Sequence, residues 1–154
     1  MSLLTFDFPR EVGLFRKVVH SGNEMESYWS AQRNCQCSYM SVYGFRAVKP
    51  NGRRGEYNTA IVRHFVIDFD RKERVGSQVV DVSGDRVLEQ VRRLHQMLMS
   101  KNVHHAVWFS GNGFHVWVRL STVHRPATGS EVSLIKAAGK KVVNGWKKDL
   151  DLTC

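Results

Sequence analysis

From residue 59 onward the apolar positions alternate between the strand period and the helix period. Ala60 to Asp70 reads AIVRHFVIDFD, a long strand. Its side chains alternate, so Phe65, Ile67 and Phe69 share one face, and Val66, Asp68 and Asp70 share the other. Arg71 to Gly84 is polar and predicts a connection. In Asp85 to Ser100, Val87, Leu88, Val91, Leu94 and Leu98 recur at helical spacing, with Arg86, Arg92, Arg93 and Gln96 elsewhere, which predicts an amphipathic helix. Val103 to Ser110 reads as a strand, Gly111-Asn112-Gly113 as a turn, and Phe114 to Ser121 as a strictly alternating strand. Thr128 and Glu131 have capping-box spacing and open a second helix. Its apolar positions are Val132, Ile135, Ala138, Val142, Val143 and Trp146, and five lysines from Lys136 to Lys148 lie among them.

The first 58 residues are less regular. Ser21 and Glu24 repeat the capping-box spacing and predict a short helix through Met25, Tyr28 and Trp29, ending near Arg33. CSYMSVYGF, from Cys37 to Phe45, predicts a strand. KPNGRRGEYN, residues 49–58, collects turn formers and basic charge and is the best internal boundary. The expectation is an α+β protein: an N-terminal α/β module over 1–58 and a second module over 59–154. The β-α-β-β-α order of the second is that of an RRM-like (ferredoxin-like βαββαβ) unit whose final strand is short or incomplete. There the first and third strands are neighbours, the fourth flanks the first, and both helices cover one face.

Charge then narrows the partner. Lys and Arg total 23 against 14 acidic residues, for a net +9, with a pI near 9.8. A small domain this basic meets a polyanion, and nucleic acid is the default. Hydrophobic residues are 42%, which excludes wholesale disorder. No apolar run approaches the ~20 residues of a membrane helix, and MSLLTFDFPREVG lacks the pattern of a secretory signal, so no membrane association is expected. Three cysteines, Cys35, Cys37 and Cys154, are no disulfide framework and suit a reducing, cytoplasmic setting. Cys35 and Cys37 could supply half of a zinc site, but no second pair accompanies them.

The candidate chemistry lies on the face opposite the helices. Asp68 and Asp70 project together there, and two carboxylates this close repel unless a cation intervenes or one is protonated. Hard oxygen ligands favour Mg²⁺ or Mn²⁺. With Asn112-Gly113 as a two-residue turn, Ser110 stands opposite His115, and His115, Trp117 and Arg119 share the open face with the aspartates. Gly111 and Gly113 would let a phosphate approach the backbone. Metal-bound aspartates beside Ser, His and Arg describe a nucleotidyl-transfer site. Its third carboxylate is expected on the fourth strand, where Asp149 and Asp151 stand, with Asp151 preferred.

These residues resemble the archaeo-eukaryotic primase superfamily, the small primase subunits and the primase-polymerases of archaeal plasmids and viruses. FVIDFD is similar to its first motif, FSGNGFHVWV to its second, and SYMSVYGFR has the flavour of these proteins; the resemblance covers about residues 38–120. It implies a DNA primase or primase-polymerase core, a nucleotidyltransferase of DNA replication, with Asp68 and Asp70 on metal and Ser110 and His115 on nucleotide phosphates. The implied partners are a single-stranded DNA template, nucleoside triphosphates, and a second primase subunit or replicative helicase. The family's third motif is an Asp on a strand after the second helix, where this chain stops at DLDLTC, and no zinc knuckle is recognisable. The alternatives are a non-catalytic or degenerate RRM-like single-strand binding module with exposed Trp117 as its stacking platform, one part of a split primase, and a metal-dependent nuclease.

Overall fold

The structure, a computed structural model, describes residues 4–13, 15–32, 39–75 and 77–150. It is mixed α+β with antiparallel sheets. In chain order the elements are β1 (Arg10–Val12), β2 (Lys17–Val19), α1 (Gly22–Ala31), β3 (Gly44–Phe45), β4 (Ala60–Asp70), β5 (Lys72–Val75), β6 (Gln78–Asp81), α2 (Gly84–Ser100), β7 (His105–Phe109), β8 (Gly113–His124) and α3 (Gly129–Leu150). Contacts gather into two compact units. One is built on His64–Leu120 and the part of α3 from Lys136; the other on Thr5–Arg63 and Ser121–Ile135. Among the described residues no helix is long and apolar enough to cross a membrane.

In the first unit the strand order is β4-β8-β7, so the expected first and third strands are neighbours. Ile67 and Phe69 of β4 pack with Val116 and Val118 of β8 and with Val87, Val91, Leu94 and Leu98 of α2. Val143, Trp146 and Leu150 of α3 close on the same cluster, so both helices lie on one face. Each fully buried aliphatic side chain stabilises by roughly 1.5–3 kcal/mol. Gly139 lets α3 reach the strand, because a Cβ there would sit 2.4 Å from the Phe65 ring. Helix α2 begins where its sequence says it should: the Ser83 hydroxyl accepts from the Arg86 N–H at 3.3 Å.

Three expectations in this unit are corrected. The polar connection after β4 contains an antiparallel hairpin, with Lys72 paired to Asp81 and Val75 to Gln78. Gln78–Asp81 is exposed throughout, so the hairpin lacks the one-sided burial that writes alternation into a sequence. Trp117 is not an exposed platform. It is 4% exposed and packs edge-on against His64, itself 1% exposed, at 5.8 Å between ring centroids. The face away from the helices is therefore filled at the His64 end and open at the Asp68 end. The β7-β8 turn is also shifted by one residue, with consequences at the candidate site.

In the second unit β1 and β2 form a short hairpin, and Val12, Val19 and Met25 make a small core with Phe6, Phe8, Tyr28, Trp29 and Met40. Both expected capping boxes are present. Glu24 N–H donates to the Ser21 hydroxyl, while the Glu24 carboxylate accepts from His20 N–H; Glu131, Thr128 and Ala127 repeat the arrangement at α3. Of the expected strand over Cys37–Phe45, residues 39–45 are described, and they form only β3 and a single bridge from Met40 to Val12. Chain extension there is spent on contacts with the β1 segment: Ser41 N–H donates to Glu11 O. Beside Ala60 and Ile61, β4 is flanked on the side away from β8 by the upstream β3, while the expected strand after α3 lies outside the described residues. Glycine at 44 lets the Asp7 backbone pack against β3, since a Cβ would lie 2.5 Å from Asp7 O. Asp7 itself holds Arg63 through two bonds of 2.7 Å.

Candidate functional site

The site forms where β4 ends beside the start of β8, within the first unit. Alternation along β4 sends Ile67 and Phe69 into the core, 5% and 1% exposed, which leaves Asp68 and Asp70 on the other face and exposed. Gly113 opens β8 against this strand end. A Cβ on it would fall 1.9 Å from Phe69 O and 3.1 Å from the Asp70 Cα. Glycine is thus required at 113 by the approach of β4, the strand that carries both aspartates, and Gly113 is buried. Gly111 is different: it has φ +92, and nothing lies within 4 Å of where its Cβ would stand, so it serves the turn and leaves its surroundings open.

The turn register corrects the expected pairing. Phe109 pairs with Phe114 and Trp108 with His115. Ser110 therefore faces Gly113, to which it is tied twice: its N–H donates to Gly113 O at 3.0 Å, and its hydroxyl accepts from Gly113 N–H at 3.1 Å. The positive φ falls on Gly111, so Gly111-Asn112, not Asn112-Gly113, is the central pair of the turn. His115 has Trp108 as its cross-strand neighbour, and that indole is 43% exposed. Sequence reasoning missed Trp108, although the alternation of β7 puts it on the His115 face in either register of the turn.

His115 reaches across to β4. Its Nε2 lies 3.3 Å from Asp68 Oδ1, with the two side chains 41% and 55% exposed. Partial burial pushes the Asp68 carboxyl above the ordinary carboxylate range, the charge of Asp70 pushes it further, and His115 pulls it back. The two carboxylates therefore feel each other as like charges. The donor set available to a hard divalent cation is this pair of carboxylates. Among the described residues no group of three or more His, Cys, Asp or Glu is placed so that all could hold one metal ion. Asp151 lies outside the described residues, as do Cys35, Cys37 and Cys154.

The remaining sequence candidates spread out. Ser110 and Gly111 border the site through the turn. Arg119 is exposed on the same face as His115 but four residues along β8, about 13 Å away at the usual strand rise, with buried Trp117 between them. Its N–H donates to His104 O, beyond the far end of β7. The structure thus brings together Asp68, Asp70, His115 and Trp108, with Ser110 beside them, and leaves Arg119 at the other end of the strand. No protein family, curated protein or solved structure matches this chain.

Proposed function

We propose that the chain is the catalytic core of a DNA primase or primase-polymerase, carrying out metal-dependent, template-directed nucleotidyl transfer. The observation that carries the reading is the like-charged pair Asp68 and Asp70 at an open strand end, with His115 Nε2 3.3 Å from Asp68 Oδ1. Paired carboxylates on an otherwise basic chain oppose nucleic-acid binding unless a cation sits between them. Support comes also from the order β4-β8-β7 beneath α2 and α3, which fits an RRM-like module. The cytoplasmic, replicon-associated setting and a second replication subunit as partner belong to the same reading.

Asp68 and Asp70 would hold Mg²⁺ or Mn²⁺, which supplies charge stabilisation at the reacting phosphate and activation of a 3′-hydroxyl. His115, seated against Asp68, presents an N–H to a phosphate oxygen of the incoming nucleoside triphosphate. Trp108, opposite it, offers an aromatic face at the same end of the sheet. The Gly111 turn leaves room for a phosphate beside the backbone. A primer 3′-hydroxyl attacks the α-phosphorus, the bond to the bridging oxygen breaks, and pyrophosphate leaves.

The test is incubation of the protein with single-stranded template, labelled nucleotides and Mn²⁺. Wild type is expected to yield labelled primer, and Asp68→Ala to yield none while remaining folded. Synthesis that survives in Asp68→Ala sinks the assignment. A second reading, a single-strand binding module without catalysis, is favoured by the exposure of Trp108 at 43% and Phe109 at 70%. It predicts salt-dependent strand binding with no effect of Mn²⁺ on nucleotide affinity.

A further inference from the structure

A second group of cations and aromatic rings lies wholly within the other unit, away from any role in the reading above. A cleft of about 430 Å³ is lined by Glu11, Arg16, Tyr39, Lys49, Arg54 and Tyr57, among others. That volume is in the range of small-molecule sites. Its floor is anchored by Glu11, which is 6% exposed. One carboxylate oxygen accepts from Gly55 N–H at 3.0 Å. The other stands 3.8 Å from Arg16 Nη1 and 3.6 Å from Arg54 Nη1. Those two distances give ion pairing without hydrogen bonding. Among the described residues neither guanidinium donates a side-chain hydrogen bond, and both are about half exposed, at 50% and 44%. Glu11 thus draws two guanidiniums to one point while leaving their donors unspent.

Charge and geometry agree. Arg16, Lys49 and Arg54 bring three positive charges against the single carboxylate of Glu11. Arg16 is held in the left-handed region at φ 52, closing the β1-β2 turn, with its guanidinium 4.7 Å from the Tyr39 ring centroid. The 49–54 loop is fixed by Lys49 N–H to Arg54 O at 2.8 Å and Gly52 N–H to Lys49 O at 2.7 Å. Gly55, whose Cβ would strike the Phe45 ring at 2.2 Å, lets that loop close on the cleft wall. Tyr57 is 44% exposed at the rim. A fixed set of unspent donors asks for an anion with several oxygens, and the flanking tyrosines ask for a flat ring attached to it.

We propose that this cleft binds a nucleotide unit, its phosphate held across Arg16, Arg54 and Lys49 and its base against Tyr57. The chemistry is shared by a free nucleotide and by one nucleotide of a single strand, and the inference does not depend on catalysis at Asp68. Binding is measured in EDTA, so that no divalent cation contributes. One arm uses a fluorescein-labelled oligothymidylate and reads anisotropy; the other uses ATP and reads heat. The double variant Lys49→Gln/Arg54→Gln is expected to bind about tenfold or more weaker and to flatten the dependence of log K on log salt by about 1.4, roughly 0.7 for each lost phosphate contact. Tyr57→Ala is expected to bind about tenfold weaker with the salt slope unchanged. Arg54→Lys keeps the charge and holds affinity closer to wild type than Arg54→Gln. Losses in the ATP arm identify a free-nucleotide site, and losses with the oligonucleotide alone identify a strand site. Wild-type affinity and salt slope in the double variant, in both arms, overturn the proposal whatever happens to primer synthesis in Asp68→Asn.

Discussion

Replacing Gly113 by alanine separates two explanations of the turn glycines. The added methyl carbon would lie 1.9 Å from Phe69 O and 3.0 Å from its carbonyl carbon, so β8 and the end of β4 must part by more than an ångström. Gly113 has no positive φ, so alanine suits its backbone and the whole penalty is steric. Overpacking of this kind costs about 1–3 kcal/mol. The entropy removed from the unfolded chain returns about 0.4–1 kcal/mol. With backbone on both sides of the contact, the upper end applies, and the net loss is about 2 kcal/mol. In urea the midpoint should fall with the slope unchanged, and the thermal midpoint should drop by about 4–8 °C. Because the displaced backbone carries Asp70, Mn²⁺-dependent synthesis should fall as well. Gly111→Ala, strained at φ +92 but with open space around it, should lose about 1 kcal/mol. A Gly113→Ala protein within about 0.5 kcal/mol of wild type would refute the steric argument. If it had also lost nucleotide affinity, the glycine would be serving phosphate approach instead.

Three further outcomes follow from the same geometry. Asp68 has its folded pKa raised, so any stability it contributes is present below its unfolded value and lost as pH rises through the folded one. Once it ionises, its charged form is the one the fold disfavours. Asp68→Asn, more than half exposed, should therefore match or slightly exceed wild type in stability, by less than about 0.5 kcal/mol, while losing metal-dependent activity; denaturation at pH 7 beside a synthesis assay reads both. Asp7 is the opposite case. Burial pushes its carboxyl up, but the hydrogen bonds and charge of Arg63, with Arg10 and Arg125, outweigh this and hold it below the ordinary range. Its stabilisation is present above the unfolded value and lost as pH falls through the lowered one. Asp7→Asn should cost about 2–3 kcal/mol at pH 7, and the gap to wild type should close below about pH 4, as followed by urea melts across pH. Trp117→Ala should cost about 3–5 kcal/mol by chemical denaturation, because the indole is core; a loss confined to strand affinity would contradict its burial.

Much of the fold was legible wherever one face of an element is buried. The stripe Val87, Val91, Leu94 and Leu98 wrote α2 into the sequence, and Ile67 and Phe69 set the face of β4. The β5-β6 hairpin was illegible because Gln78–Asp81 buries nothing. The turn slipped by one residue because Gly-Asn-Gly offers two glycines, and only the contact of Gly113 with Phe69 O, a tertiary fact, decides which one takes the strand. Trp117 was misplaced for a related reason. Period-2 alternation places a side chain on a face, but whether that face is covered depends on its neighbour, here His64.

The contrast between Asp7 and Asp68 then bears on where function lies. Both are aspartates on or beside strands, yet their environments act with opposite sign. Asp7 makes two bonds of 2.7 Å to Arg63, and its ionised form is favoured by the fold. Asp68 has only the 3.3 Å approach of His115 to set against partial burial and the charge of Asp70, and its ionised form is disfavoured. A neutral residue at 68 would relieve that conflict without opening the core, since the side chain is 55% exposed. The fold thus gains nothing from the pair that a polar, uncharged strand end would not supply. A local conflict with no structural return, on an open face beside an imidazole and an indole, is where a bound cation changes the balance. Adding Mn²⁺ should therefore stabilise wild type, raising its thermal midpoint, and leave Asp68→Asn unmoved. An equal shift in both proteins would place the cation elsewhere.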